Sequence, residues 1–448
     1  MRKIKLALRR ISIKSLSGGE IKINLVAFAY SQAVSLFLLF AQIPLFLFFW
    51  GKQLYGEWLV LTGPASVLAL LDFGVSKASE SRALARCAKN NWTDTRSVIH
   101  TAQAYTLCAI SLVLTLGLVI TFLPWDQILN LEDITNQSAI TVLMAMVITV
   151  GVSLQIGIVD ARFKVAGRTP LGVFLLSNRR IATFIGFCIV LLLGFGPSVA
   201  AIVWACVDLF FLFAVSFICR KCTEHQLHGW KLASRREFFS VIKPSTSYLL
   251  FPLASVITLQ GGIQFLNILS GSRAVVDFSI VRTLVRTILQ VGMVINNSIK
   301  PVVSRLAGSG KYKEIIRIKN RTNHITKIIG LISLVALWTT GPALIKFWTH
   351  GEVQVTRVFV LFLASHSVIN LILVGPVAVD MALNRHGAIL RVLFGSSIIS
   401  LAFWIAFQHL ITPVIGAGLL LCIPEIVVAF YVLVRAPLNF ADFNDKSI

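Results

Sequence analysis

Residues 25–49 read LVAFAYSQAVSLFLLFAQIPLFLFF, 25 positions without a charged side chain. About 20 apolar residues in a helix cross a bilayer, because each adds about 1.5 Å and the hydrocarbon core is about 30 Å thick. Runs of this kind recur to the end of the chain. They predict twelve spans: 25–49, 55–77, 99–123, 139–160, 170–193, 197–219, 245–269, 275–298, 325–347, 357–379, 389–410 and 414–434. The expected fold is an all-α polytopic membrane protein. Composition agrees: of 448 residues, 56% are hydrophobic and 13% charged, with a mean hydropathy of +0.82. A soluble surface needs about 25% charged residues, so a soluble enzyme is excluded.

The net charge of +22 reflects where the cations lie. Of the 41 Lys and Arg, 33 fall in alternate segments: 1–24, 77–98, 162–169, 220–243, 300–327, 385–391 and 435–448. The opposite loops hold 4, namely Lys52, Arg273, Lys346 and Arg357. Cytoplasmic loops of membrane proteins carry the positive excess. Both termini are therefore expected in the cytoplasm, and no nucleic-acid partner is needed to explain the charge. The external loops are short. The longest, 124–138, carries Asp126, Glu132 and Asp133 and no Lys or Arg. None is large enough to hold an active site with its own core, which weighs against an enzyme such as a membrane glycan polymerase or ligase.

The two halves repeat with a shift of 220 residues. Gly51 falls on Gly271, Glu57 on Asp277, Val159-Asp160 on Val379-Asp380, Gly167 on Gly387 and Gly196 on Gly416. The expected organisation is a basic N-terminus (1–24), an N-lobe of six spans (25–219), a cytoplasmic linker (220–243), a C-lobe of six spans (244–434) and a tail (435–448). Six is even, so a pseudo-two-fold along the membrane normal relates the lobes, an arrangement used by transporters.

Polar residues inside spans carry the functional information. An Arg at mid-bilayer costs about 2.5–3.5 kcal/mol on insertion scales, and four lie in spans: Arg179, Arg180, Arg282 and Arg286. At 100° per residue, Ser279, Arg282, Thr283, Arg286, Gln290 and Asn297 form one stripe on span eight. Gln260, Gln264 and Asn267 form a second on span seven, and Ser31, Ser35 and Gln42 a third on span one. Such stripes face protein or a wet cavity. Arginine forks grip phosphate, and amides bond sugar hydroxyls, so a ligand with both groups is expected between the lobes. The alternative is that the arginines pair with intramembrane acids, Asp72, Asp208, Asp277 or Glu425. Asp72, Asp208 and Glu425 are also candidates for coupling to an H⁺ or Na⁺ gradient. Glu57 and Asp277 are expected to cap helix N-termini. No metal or other cofactor is expected: Cys219-x-x-Cys222-x-x-His225-x-x-His228 has a middle gap too short for a zinc finger, and Gly308-Ser-Gly310-Lys311 lacks the spacing of a phosphate loop.

Tyr55-Gly-Glu-Trp58 followed by Leu71-Asp72-Phe73-Gly74, and Phe278-Ser-Ile-Val-Arg282-Thr-Leu284 followed by Pro301-Val-Val-Ser304, resemble the signatures of the Wzx-type O-antigen and polysaccharide flippases. These belong to the multidrug/oligosaccharidyl-lipid/polysaccharide (MOP) exporter superfamily. The resemblance covers nearly the whole chain in span count and loop lengths. It implies a flippase of the bacterial inner membrane that moves undecaprenyl-pyrophosphate-linked oligosaccharide to the periplasmic leaflet by alternating access. It assigns Arg282 and Asp72 to signature positions. The implied partners are that substrate, membrane lipids, and a polysaccharide polymerase with its chain-length regulator. Peptidoglycan-precursor flippases of the same superfamily have two further spans, which weighs against that substrate. The nearest alternative is a two-lobe transporter of a drug or small anionic solute.

Overall fold

The computed structural model describes residues 18–88, 91–223, 227–308, 312–382 and 387–434. The basic N-terminal segment up to residue 17, the tail 435–448, His225, and Ser309 to Lys311 lie outside the described residues. The helices are α1 (Gly18–Leu68), α2 (Val75–Ala88), α3 (Trp92–Ile120), α4 (Trp125–Ile128), α5 (Asn136–Val165), α6 (Thr169–Leu192), α7 (Pro197–Cys222), α8 (Arg235–Ser255), α9 (Gly262–Gly308), α10 (Tyr312–Trp348), α11 (Arg357–Ala382), α12 (Gly387–Phe407) and α13 (Pro413–Val434). A 3₁₀ turn, Ala69–Asp72, follows α1, and a π-turn, Val256–Gly261, joins α8 to α9. No strand occurs among the described residues.

Ten continuous helical stretches are long and apolar enough to cross a membrane, where the sequence predicts twelve spans. The difference lies in α1 and in the stretch from α8 into α9, each of which joins two predicted spans. Each bends at a glycine, Gly51 (φ 69°, ψ −179°) and Gly271 (φ 74°, ψ 174°). Positive φ of this kind is reached without steric cost only by glycine. At Gly51 the chain reverses. The rings of Phe46 and Trp58 are 6.1 Å apart, whereas twelve residues of straight helix would separate them by about 18 Å. Spans one and two are thus antiparallel arms, and the matching glycine divides spans seven and eight.

The 220-residue repeat is visible in the backbone. Gly51 and Gly271 share dihedral angles. The lobes differ after span two. Phe73 (φ 46°) and Gly74 (φ 71°) break the chain before α2, while α9 continues past the equivalent point. The linker also differs from a plain loop: α7 runs to Cys222, and α8 begins at Arg235, so its first turns belong to the predicted linker.

The lobes meet at the end that carries Gly51 and Gly271. Lys52 pairs with Asp277 at 2.6 Å, and Arg273 Nε donates to Gln53 Oε1 at 3.0 Å. A Cβ on Gly56 would press on the Ser272 carbonyl oxygen and lie 2.7 Å from its carbon, so the glycine of Tyr55-Gly-Glu-Trp58 is where two backbones touch. Beneath it is an aromatic core in which Phe46, fully buried, contacts Tyr55, Trp58 and Phe187. Phe187 also contacts Trp204. These rings bury Tyr55 and Trp58 in packing.

Candidate functional site

Arg282 and Arg286 sit one turn apart on α9, and the charge of Arg286 acts on Arg282. Arg282 is half-buried. Its guanidinium carbon lies 6.0 Å from the Phe278 ring centroid, and its Nη1 is sealed from solvent without a hydrogen-bond partner. Arg286 is exposed. Among the described residues neither has an acid within ion-pair distance. Gln290, a turn further, has its Oε1 sealed without a partner. Asn297 lies in α9, with its side chain outside the described set. Gln42 is half-buried on the first arm of α1.

The acids are engaged elsewhere. Asp208 of α7 pairs with Arg179 of α6 at 2.8 Å, both largely buried, so Arg179 meets its own lobe's carboxylate. Its neighbour Arg180 points away and donates to Ser35 Oγ at 2.7 Å on α1. Asp72 accepts from the Ser76 amide at 3.3 Å and from its hydroxyl at 2.5 Å, which places it at the start of α2 as a helix-end acceptor. Glu425 of α13 accepts from Asn370 of α11 at 2.9 Å. Glu57 and Asp277, expected as helix caps, do other work. Glu57 is fully buried and accepts the amides of Glu132, Asp133 and Ile134 at 2.8, 2.9 and 2.8 Å, fastening the loop before α5. Asp277 holds Lys52 across the lobes.

The amide stripe of span seven ties the lobes together instead of lining an open face. Gln264 Nε2 donates to the Val60 carbonyl at 2.8 Å, and Asn267 Nδ2 to the Leu129 carbonyl at 2.5 Å. Gln260 and Gln264 pack on Gly63, where a Cβ would lie 2.8 Å from each amide. Periodicity aims these residues at one side of a helix but does not say what covers that side.

Two polar residues escaped the sequence reading. His366 of α11 lies within reach of the Arg282 charge, and its Nδ1 is sealed without a partner. The triplet Ser365-His366-Ser367 in an apolar run was its available signal. Arg162 is 4% exposed and donates to Gln103 Oε1 at 2.7 Å. The apolar run predicts a span ending at 160 and so places Arg162 in a loop, whereas α5 runs to Val165. In the linker, His228 bonds Thr223 Oγ1 at 2.9 Å. Burial, then the charges of Arg162 and Arg220, push its pKa down to about 4, so it is neutral near pH 7.

No family model matches the chain, and no curated protein matches it. Solved structures do. One is an inward-facing multidrug resistance MATE family transporter of the MOP superfamily, 15% identical, with a TM-score of 0.66 over 92% of this chain and 99% of that one. Another is the lipid II flippase MurJ in an inward closed conformation, 13% identical, with a TM-score of 0.67 over 94% of this chain and 89% of that one. A third is a variant of the Vibrio cholerae MATE transporter VcmN, 14% identical, with a TM-score of 0.61 over 95% of this chain and 99% of that one. Likeness at this identity establishes the fold: the chain is a multi-pass membrane protein with the two-lobe helical architecture of these transporters.

Proposed function

We propose that the protein is a flippase for an undecaprenyl-pyrophosphate-linked oligosaccharide, an O-antigen or other surface-polysaccharide unit. One observation carries this reading. The intramembrane acids are engaged by Arg179, Lys52, Ser76, Asn370 and backbone amides, so Arg282 and Arg286 remain cationic and uncompensated among the described residues. A desolvated guanidinium with an unused N–H calls for an anion, and a pyrophosphate accepts through several oxygens at once. Gln290 and Gln42 are the remaining sugar contacts. Arg180 is a third cation beside Ser35. Glu425 is the acid best suited to ion coupling, because it meets a neutral amide, Asn370, from another helix, whereas Asp208 is paired with Arg179 and Asp72 is taken up at the start of α2.

In this reading the basic loops face the bacterial cytoplasm, the termini are cytoplasmic, and the lobes alternate by making and breaking the contacts at the Gly51–Gly271 end. The lipid tail stays in the bilayer. A polymerase and chain-length regulator act on the product. A drug transporter, the activity named for the MATE neighbours, is the second reading. A cationic drug would want free acids at the site, and the acids here are engaged. Complementation of a flippase-null strain tests the proposal. Arg282→Ala and Arg286→Ala are expected to abolish surface polysaccharide at normal expression, and Arg282→Lys to restore part of it. Normal export by the alanine variants overturns it.

A further inference from the structure

Between Cys222, where α7 ends, and Leu249, where the next stretch apolar enough to cross a membrane begins, the described residues are Thr223 and 227–248. One side of this segment is fixed to the N-lobe. Leu227 is fully buried. The Leu232 amide donates to His100 Nδ1 at 3.2 Å, and the Ser234 amide to Thr101 Oγ1 at 3.0 Å. Glu237 receives Arg86 at 3.0 Å and lies 3.6 Å from Arg82. The Phe238 ring is 5.9 Å from that of Tyr105. Phe238 and Ile242 close on Val75 and Ala102 with no room for a water molecule.

The other side has no such cover. Trp230, Leu232 and Phe239 are 61%, 47% and 56% exposed. Lys231, Arg235 and Arg236 are exposed among them, with the Arg235 guanidinium 5.8 Å from the Phe239 centroid. Glu237 is the only acid between Trp230 and Lys243, and it faces the N-lobe. Large apolar groups ringed by cations, at the point where chain leaves the bilayer, match a surface of phosphate headgroups over acyl chains. A soluble acidic partner would match the cations alone and leave Trp230, Leu232 and Phe239 in water.

We propose that this face of the linker is a docking surface for anionic phospholipid headgroups of the adjoining leaflet, with Trp230 and Phe239 inserted and the three cations on phosphate. The linker then has one side on the N-lobe and one on the membrane, and it holds the start of α8 at a fixed depth.

The test uses the full chain reconstituted in phosphatidylcholine vesicles, with and without phosphatidylglycerol, carrying brominated acyl chains. The Trp230 emission is the difference between wild type and Trp230→Phe. Quenching by brominated lipid is expected to be stronger with phosphatidylglycerol. Each cation is worth roughly fivefold in anionic preference, so Lys231→Gln/Arg235→Gln/Arg236→Gln should remove the difference between vesicle types while the protein remains folded by size-exclusion profile. Equal quenching of the wild type in both vesicles overturns headgroup recognition. Trp230 emission reached only by aqueous acrylamide shows a face turned to water, suited to a soluble partner, and overturns the proposal altogether.

Discussion

Gly56→Ala tests whether the glycine end is a closed gate. The added Cβ would lie 2.7 Å from the Ser272 carbonyl carbon and closer still to its oxygen. Non-bonded carbons rest at about 3.5–4.0 Å, so the arms of α1 and α9 must part by about 1 Å. The obstacle is backbone, which cannot rotate away as a side chain would. Overpacking of this kind costs about 1–3 kcal/mol, and it burdens only the conformer in which the lobes meet here. A penalty confined to one conformer shifts the equilibrium by its full amount, about 5- to 150-fold toward opening at this end. Spin labels at Ile128→Cys and Val358→Cys, in a background without native cysteines, suit the measurement because both sites are exposed, at 45% and 70%, and lie on different lobes at this end. Their distance distribution is expected to gain a longer component in Gly56→Ala. Gln264→Leu with Asn267→Leu should act in the same direction, because it strands the Val60 and Leu129 carbonyls only while the lobes touch. An unchanged distribution in folded Gly56→Ala protein refutes the gate.

Two further outcomes separate structural from functional roles. Arg179→Met alone should destabilise the detergent-solubilised protein by about 3–5 kcal/mol by leaving Asp208 buried and uncompensated. Adding Asp208→Leu should recover most of that, and retention of export by the double variant would place this pair outside substrate binding. His228 has a depressed pKa in the fold, so its stabilising contribution is complete above the ordinary value of about 6.5 and is lost as pH falls toward about 4. The unfolding temperature of wild type should drop across that window, and His228→Asn should flatten the drop. Parallel profiles would show that His228 does not titrate there.

The membrane class, the run of apolar helices and the two-lobe architecture were legible in the sequence. Each rests on a local quantity, such as the apolar length of residues 25–49 or the recurrence of Gly51 at Gly271, and the bilayer imposes local rules on every helix that crosses it. Which polar groups touch was not legible. Periodicity put Gln264, Asn267 and Arg282 on exposed-looking polar stripes with equal standing. Only tertiary packing set the two amides against Val60 and Leu129 and left Arg282 Nη1 without an acceptor. In the same way Arg179 and Arg180 are adjacent in sequence, yet the 100° between them sends one to Asp208 and the other to Ser35. A helix fixes the direction of a side chain, whereas its partner belongs to another helix many residues away. That pairing is decided only when the lobes close around each other.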